Sequence, residues 1–303
     1  QNCIIRNVGG AIQGDIGSTR YGNGIEFWKQ AKNTVVTNCI FKNIYDAAYT
    51  LQGDDVTGGF ENNICTDCIF INCSYPSEFF VYKDDSAESC VFRNNFYENN
   101  LIINQGNGFG YEFSNSQYIP ANSVIWSIDT NDLGGITYKN NKSYNSKKLY
   151  FKMYTWDDEE YKKIVKSDYN IYYLNEDTIA FAEGENHKEV EYLKTYNLDE
   201  HSTFNYLTDE EIEIISNPDI LNSNNYEEIK AYYDNFDIKY RNSHWKEAVL
   251  TELETIINQE DYAVILQNAE IEASYEELKN AIDNLTKNVD TITVDNVSYS
   301  HEC

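Results

Sequence analysis

Asn38-Cys39-Ile40-Phe41-Lys42-Asn43-Ile44 is the stretch on which the reading of the fold turns, because its pattern recurs. The same seven-residue figure appears as Asn2-Cys3-Ile4-Ile5-Arg6-Asn7-Val8, as Asp67-Cys68-Ile69-Phe70-Ile71-Asn72-Cys73 and as Asn94-Asn95-Phe96-Tyr97-Glu98-Asn99-Asn100. A weaker fifth copy is Asn140-Asn141-Lys142-Ser143-Tyr144-Asn145. The first four begin 36, 29 and 27 residues apart. A repeat of that period is the mark of a solenoid, in which each unit covers the apolar face of its neighbour.

Working outward from the figure, four segments align as short strands: Ile25-Glu26-Phe27-Trp28, Tyr49-Thr50-Leu51-Gln52, Phe79-Phe80-Val81-Tyr82 and Leu101-Ile102-Ile103-Asn104. Side chains alternate along a strand. One column set, Ile25/Tyr49/Phe79/Leu101 with Phe27/Leu51/Val81/Ile103, is apolar and is expected inside. The other, Glu26/Thr50/Phe80/Ile102 with Trp28/Gln52/Tyr82/Asn104, is expected outside. Asn7, Asn43, Asn72, Asn99 and Asn145 share the sixth position of the figure. Stacked asparagines can bond from rung to rung, and Asn tolerates the left-handed backbone of a sharp corner. The expected fold is therefore all-β, a right-handed parallel β-helix solenoid over residues 1–222. A small helical module is expected over 223–290, with a tail over 291–303.

Composition narrows the function. The 303 residues carry a formal charge of -27, which repels nucleic acid and polyanionic glycans. No run of 18 apolar residues exists to span a membrane. The first residues already lie inside a repeat, so further N-terminal coils are expected before them. Seven cysteines include Cys65-x2-Cys68-x4-Cys73, which has the look of a metal or redox site. Yet Cys3, Cys39 and Cys68 fall in one column of the repeat, so small buried hydrophobes are the simpler reading.

The run Gly22-Asn23-Gly24-Ile25-Glu26-Phe27-Trp28, then Tyr45-Asp46-Ala47-Ala48 and Gln52-Gly53, resembles the right-handed parallel β-helix superfamily of pectate-lyase-like proteins. Ser167-Asp168-Tyr169-Asn170-Ile171-Tyr172-Tyr173, Asp199-Glu200-His201-Ser202 and Asn217-Pro218 are similar to the final coils of its bacterial members. The likeness covers residues 1–220. It implies a secreted or cell-surface bacterial protein, with polysaccharide lyases, glycoside hydrolases and inactive surface proteins all among its members.

Two stretches interrupt the repeats: the glycine-rich 9–24, expected to overhang the outward face, and the irregular 105–135. Asp157-Asp158-Glu159-Glu160 is expected as a loop between strands. Ser243 before Trp245–Leu250, and the capping box Ser274-Tyr275-Glu276-Glu277 before Leu278, Ala281, Ile282 and Leu285, predict a pair of helices. Thr291-Ile292-Thr293-Val294 reads as a strand, and Cys303 has no evident partner.

Chemistry is expected on the outward columns. Glu26 is the one carboxylate within them, Asp46 is expected at the corner just before the next strand, and Asp54-Asp55 and Asp84-Asp85 are expected to cluster at one edge of the face. Strands stack about 4.8 Å apart. Paired carboxylates one or two rungs apart thus approach the separations of retaining and inverting glycosidases, about 5 Å and about 6.5–9.5 Å. Trp28 and Tyr82 offer flat surfaces for a sugar, while Gln52, Asn104 and Lys83 offer polar contacts. Hydrolysis of a neutral glycan by Glu26 with Asp46, Asp54 or Asp84 is the first expectation. A non-catalytic glycan-binding surface protein is the second. The third is a lyase, with Ca²⁺ at Asp54, Asp55, Asp84 and Asp85 and with Lys83 or Arg93 as base. No cofactor beyond that Ca²⁺ is expected, and the chain is read as a monomer. No His lies in residues 1–186, which weighs against His-based nucleophilic catalysis on this face, and His201 reads as a corner residue.

Overall fold

The computed structural model describes residues 1–9, 22–106, 121–153 and 157–237, and the strand backbones of 291–294 and 297–300. The chain divides into two units, Gln1–Lys230 and Ala231–Cys303. In the first unit short strands are dealt in turn to four sheets. From Ile25 the order is Ile25–Trp28 to the second sheet, Gln30–Lys32 to the third, Val35–Thr37 to the fourth and Ile40–Ile44 to the first. The cycle then repeats. Seven strands build the first sheet, from Ile4–Val8 through Ile40–Ile44, Ile69–Ile71, Leu101–Ile103, Lys142–Tyr144 and Ile171–Leu174 to Thr203–Tyr206. The second runs from Ile25–Trp28 through Ala47–Val56, Tyr75–Lys83, Ser123–Ile128 and Lys148–Lys152 to Ile179–Ala182. All these pairings are parallel, and only Asn186–His187 closes the second sheet antiparallel. Several parallel sheets of many strands fit a solenoid-like fold.

The expected single β-helix with a helical module behind it is corrected on two counts. The strands lie in four separate sheets rather than one continuous solenoid ladder. The physical reason is at the corners, where a residue with positive φ at or beside many strand ends turns the chain toward the next sheet. Asn7, Asn43, Asn72, Asn104 and Asn145, at φ 51° to 56°, do this after first-sheet strands, and Asn33, Asn62 and Asn94 do it after third-sheet strands. A left-handed residue costs roughly 1–2 kcal/mol for most side chains, and asparagine tolerates it best apart from glycine. The second correction concerns the module. Residues 226–237 are helical, but the two predicted helices over 243–285 lie outside the described residues, as does Cys303. In the second unit Thr291–Val294 is a strand, paired antiparallel with Val297–Ser300.

The asparagine ladder exists with one member exchanged. Asn43 Nδ2 donates to Asn7 Oδ1 at 3.0 Å, Asn72 to Asn43 at 3.3 Å, Asn145 to Asn104 at 2.9 Å and Asn175 to Asn145 at 2.6 Å. Asn104 takes the place expected of Asn99, and Leu101–Ile103 joins the first sheet beside Ile69–Ile71. Asn99 instead closes the fourth-sheet strand Asn95–Glu98. The figure starting at Asn94 is thus one strand early. Asn94-Asn95 and Asn99-Asn100 are both Asn-Asn corners, and the pattern cannot tell them apart.

Inside, Phe41 stacks on Phe70 (4.8 Å, 6°), and on the outward side of the same sheet Tyr144 stacks on Tyr173 (4.6 Å, 6°), side chains one strand spacing apart. Cys39, Cys65, Cys68, Cys73 and Cys90 are free thiols buried in the main apolar cluster. Burial pushes the Cys73 thiol up to about 12. A second internal asparagine set serves the corners: Asn63 bonds Ala31 O and Asn95, and Asn141 bonds Tyr97 O and Asn170. Buried Asp199 accepts from Tyr150, Ser167, Asn170 and Ser202.

Two further expectations change, and a third falls outside the described residues. Asp157 caps a helix, Asp158–Ile164, by accepting from the amides of Glu159 and Glu160, so the acidic run is the favourable first turn of a helix and not a loop. That helix stands where the cycle would otherwise deal a third-sheet strand. The stretch 105–135, expected as irregular, holds Ser123–Ile128, a full member of the second sheet. The glycine-rich stretch lies, over residues 10–21, outside the described residues. Both long connections, 9–24 and 104–122, leave a first-sheet strand for a second-sheet strand, whereas Ile44 to Ala47 makes the same passage with two intervening residues.

The outward face of the first sheet is apolar and covered. Ile40, Ile69, Ile71, Ile103, Tyr144 and Tyr173 are all buried. Residues 216–226 run back across that sheet. Asn104 Nδ2 donates to Ser216 Oγ at 3.4 Å, Lys42 Nζ to Ser223 O, Arg6 to Asn224 Oδ1 at 3.4 Å and Tyr226 OH to Asp67 O at 2.8 Å. Burial, followed by Arg6, pushes the Lys42 ammonium below its ordinary range. No helix among the described residues is long and apolar enough to cross a membrane.

Candidate functional site

Alternation on the second sheet sends Tyr49, Leu51, Phe79 and Val81 into the core and their neighbours outward. Glu26 pairs with Thr50, and Thr50 with Glu78. The sequence alignment set Phe79 opposite Tyr49, whereas Phe79 lies opposite Leu51 and Phe80 opposite Gln52. A slip of two residues keeps every side chain on its face. It does, however, bring in Glu78, which the shorter alignment left out. Extending the alternation back through Ser77-Glu78-Phe79 would have found it.

Three outward aromatic rings cluster. Trp28 meets Phe80 edge-on at 6.0 Å, and Phe80 meets Tyr82 at 5.6 Å. Trp28 and Tyr82 stay 47% and 46% exposed, unusual for side chains of their size. Gln52, 7% exposed, lies in this column between Trp28 and Phe80. Its Oε1 accepts from Thr50 at 3.1 Å, and its Nε2 has no partner among the described residues. Toward the next strands the face becomes apolar: Ala47, Tyr75, Ala121 and Val124 form a cluster with Trp126 and Phe151. The strand carrying Phe79 and Phe80 shifts register against Ser123–Ile128, and Trp126 at that shift donates its indole N–H to Glu78 Oε1. Glu78 is 7% exposed. Glu26 is exposed and accepts from Asn23 Nδ2 at 2.8 Å, and Asn23 in turn accepts from the Ala47 amide at 3.0 Å.

Asp46 is not brought together with Glu26 or with Asp54. Asp46 and Asp54 stand at opposite ends of one strand, about 26 Å apart at 3.3 Å per residue. Thr50, the partner of Glu26, is about 13 Å from each. Asp46 is buried at its corner. Asp84 Oδ1 accepts from the amide of Ser86 at 2.7 Å and from its hydroxyl. Those bonds, with help from Lys29, hold its carboxyl below the usual range. This is the closed turn of an Asx residue. Asn104 belongs to the first-sheet ladder and is 5% exposed, so it is not on this face.

Asp54 and Asp55 near the end of Ala47–Val56, with Asp84 and Asp85 just after Tyr75–Lys83, do form a rim, joined by Asp129 after the next strand. Asp84 N bonds Val56 O and Asp129 N bonds Val81 O, which sets the ends side by side. Lys29 follows Trp28 and Lys83 follows Tyr82 at the same edge, and Lys29 N donates to Gln52 O at 2.8 Å. Among the described residues no three His, Cys, Asp or Glu side chains are grouped to hold a metal ion. Arg93 lies on the third sheet in a charge ladder, bonded to Glu61 at 2.7 Å and paired with Asp132, with Lys32 on the far side of Glu61 at 3.3 Å. His201, the expected corner residue, bonds Asp168 at 2.7 Å and stacks on Tyr169. A cleft of about 260 Å³ lies elsewhere, lined by Asn2, Ile4, Asn38, Asn224 and Tyr226 at the first-sheet edge.

No known family matches the sequence, and neither the curated proteins nor the solved structures contain a match.

Proposed function

We propose that the outward face of the second sheet binds and hydrolyses a polysaccharide, with Glu26 and Glu78 as the carboxylate pair. One observation carries this reading: Glu26 and Glu78 share a column two strands apart, with Thr50 between them. At about 4.8 Å per strand their backbones are about 9.6 Å apart, close to the inverting separation of about 6.5–9.5 Å. Glu26, open to solvent, is the group that activates water. Glu78, sheltered beside Trp126, donates the proton to the leaving oxygen. Trp28, Phe80 and Tyr82 hold sugar rings, and Gln52 donates to a hydroxyl. We further propose kinship with the pectate-lyase-like superfamily, on Gly22–Trp28 and Ser167–Tyr173, and a secreted or surface location.

The test is reducing-sugar release from a glycan panel by the wild type, Glu26→Gln and Glu78→Gln, with binding measured alongside. Each variant is expected to lose about 10²–10⁴-fold in rate while still binding. Binding without release by the wild type would overturn the hydrolase. It would leave a second reading, a non-catalytic glycan-binding face, which the bonds already closed at Glu26, Glu78 and Asp84 favour. The lyase reading has lost Arg93, committed to Glu61 and Asp132.

A further inference from the structure

Resting on that polysaccharide reading, we infer that the ligand of this face is a cationic, amino-sugar polymer rather than a neutral or uronate one. The platform of Trp28, Phe80 and Tyr82 fixes the kind of surface a ligand must bring: flat and partly apolar. Gln52 adds an independent mark of a ligand, because its side chain is more than nine-tenths buried and its Nε2 is unpartnered among the described residues, in the column between Trp28 and Phe80. The charge beside the platform decides between sugars. Trp28 and Tyr82 are each the last outward residue before the strand ends, and those ends carry Asp54, Asp55, Asp84, Asp85 and Asp129 against Lys29 and Lys83.

A uronate chain on these rings would meet a net negative rim in a protein of charge -27. A neutral chain would gain stacking and the Gln52 contact but nothing from the rim. A chain bearing ammonium groups gains stacking, cation–π attraction to the three rings and attraction to the rim. The carboxylates are mostly solvent-exposed, so each contact is weak, and two or three together are expected to give about a tenfold preference.

The experiment measures affinity of the full chain for three oligomers of equal length, at mildly acid pH where amine and carboxylates are both charged. They are a glucosamine oligomer, its N-acetylated counterpart and a galacturonate oligomer. The glucosamine oligomer is expected to bind about tenfold more tightly than the acetylated one at low salt, and that ratio is expected to fall toward one in high salt. Asp54→Asn/Asp55→Asn is expected to lower the ratio, and Trp28→Ala to weaken both ligands together. A wild-type ratio at or below one, or a ratio untouched by the aspartate substitutions, overturns the inference and leaves polysaccharide binding standing. Failure of all three oligomers to bind overturns both.

Discussion

The first and second sheets are built from the same rungs, yet their outward faces have opposite fates. On the first, Ile40, Ile69, Ile71 and Ile103 are buried, and residues 216–226 cross back over the sheet with bonds to Asn104, Lys42, Arg6 and Asp67. On the second, Trp28 and Tyr82 stand about half exposed, and Glu26 is open to water. A folded rung must hide its apolar core from solvent, but nothing in the strand geometry says which outer face is to be covered. That choice rests with segments outside the repeat. One face is part of the stability of the first unit, and the other, buried at Ala47, Thr50, Tyr75 and Val124, opens to solvent at Glu26, Trp28 and Tyr82.

This contrast is broken most forcefully at Ile103. It points outward from the first sheet and is fully buried, so Ile103→Ala is expected to cost about 2–5 kcal/mol in urea unfolding. A cost under about 0.5 kcal/mol would mean that the covered face is not structural.

Lys148 gives the next largest effect, with the opposite sign. It is fully buried, its Nζ bonds Asn186 Oδ1 alone among the described residues, at 3.2 Å, and burial lowers it from 10.5 to about 7. Between those values the unfolded chain keeps a proton that the folded chain has released, so stability falls as pH drops from 10.5 to 7. Lys148→Met is expected to raise neutral-pH stability by about 1–3 kcal/mol and to remove that slope. The readout is the difference between variant and wild-type denaturation midpoints across this pH range.

Asn72→Ala sharpens the comparison at a corner. The substitution removes the bond to Asn43 and puts alanine at φ 52°, for an expected loss of about 1–2 kcal/mol, whereas Asn72→Gly should lose less. Smallest of all is Trp28→Ala. It is expected to shift stability by no more than about 0.5 kcal/mol while weakening glycan binding, and thermal melts with affinity measurements read the two separately.

How far the chain explained itself follows the same divide. The period of the figure, the buried thiols and the inward columns of the second-sheet strands are legible, because burial every second residue leaves a mark in composition, but Leu101–Ile103 belongs to the first sheet with Ile102 inward and Ile103 outward, the reverse of the expectation. The slip from Asn99 to Asn104 is not legible, since both ends of a three- or four-residue strand carry the same Asn-Asn corner. Glu78 escaped because the outward column was started two residues late. The crossing segment escaped because its contacts are single bonds from Ser216, Ser223 and Asn224 to residues more than a hundred positions away. The acidic helix cap at Asp157 was mistaken for a loop because four acids in a row satisfy both descriptions.

The two long connections leave from the same corner, between a first-sheet strand and the next second-sheet strand, while the passage from Ile44 to Ala47 shows that this corner needs only two residues. Extra length there displaces no ladder bond and no asparagine turn. Insertions can therefore lengthen these connections while every other turn of the coil stays as it was, because the length is taken up at one corner of the rung.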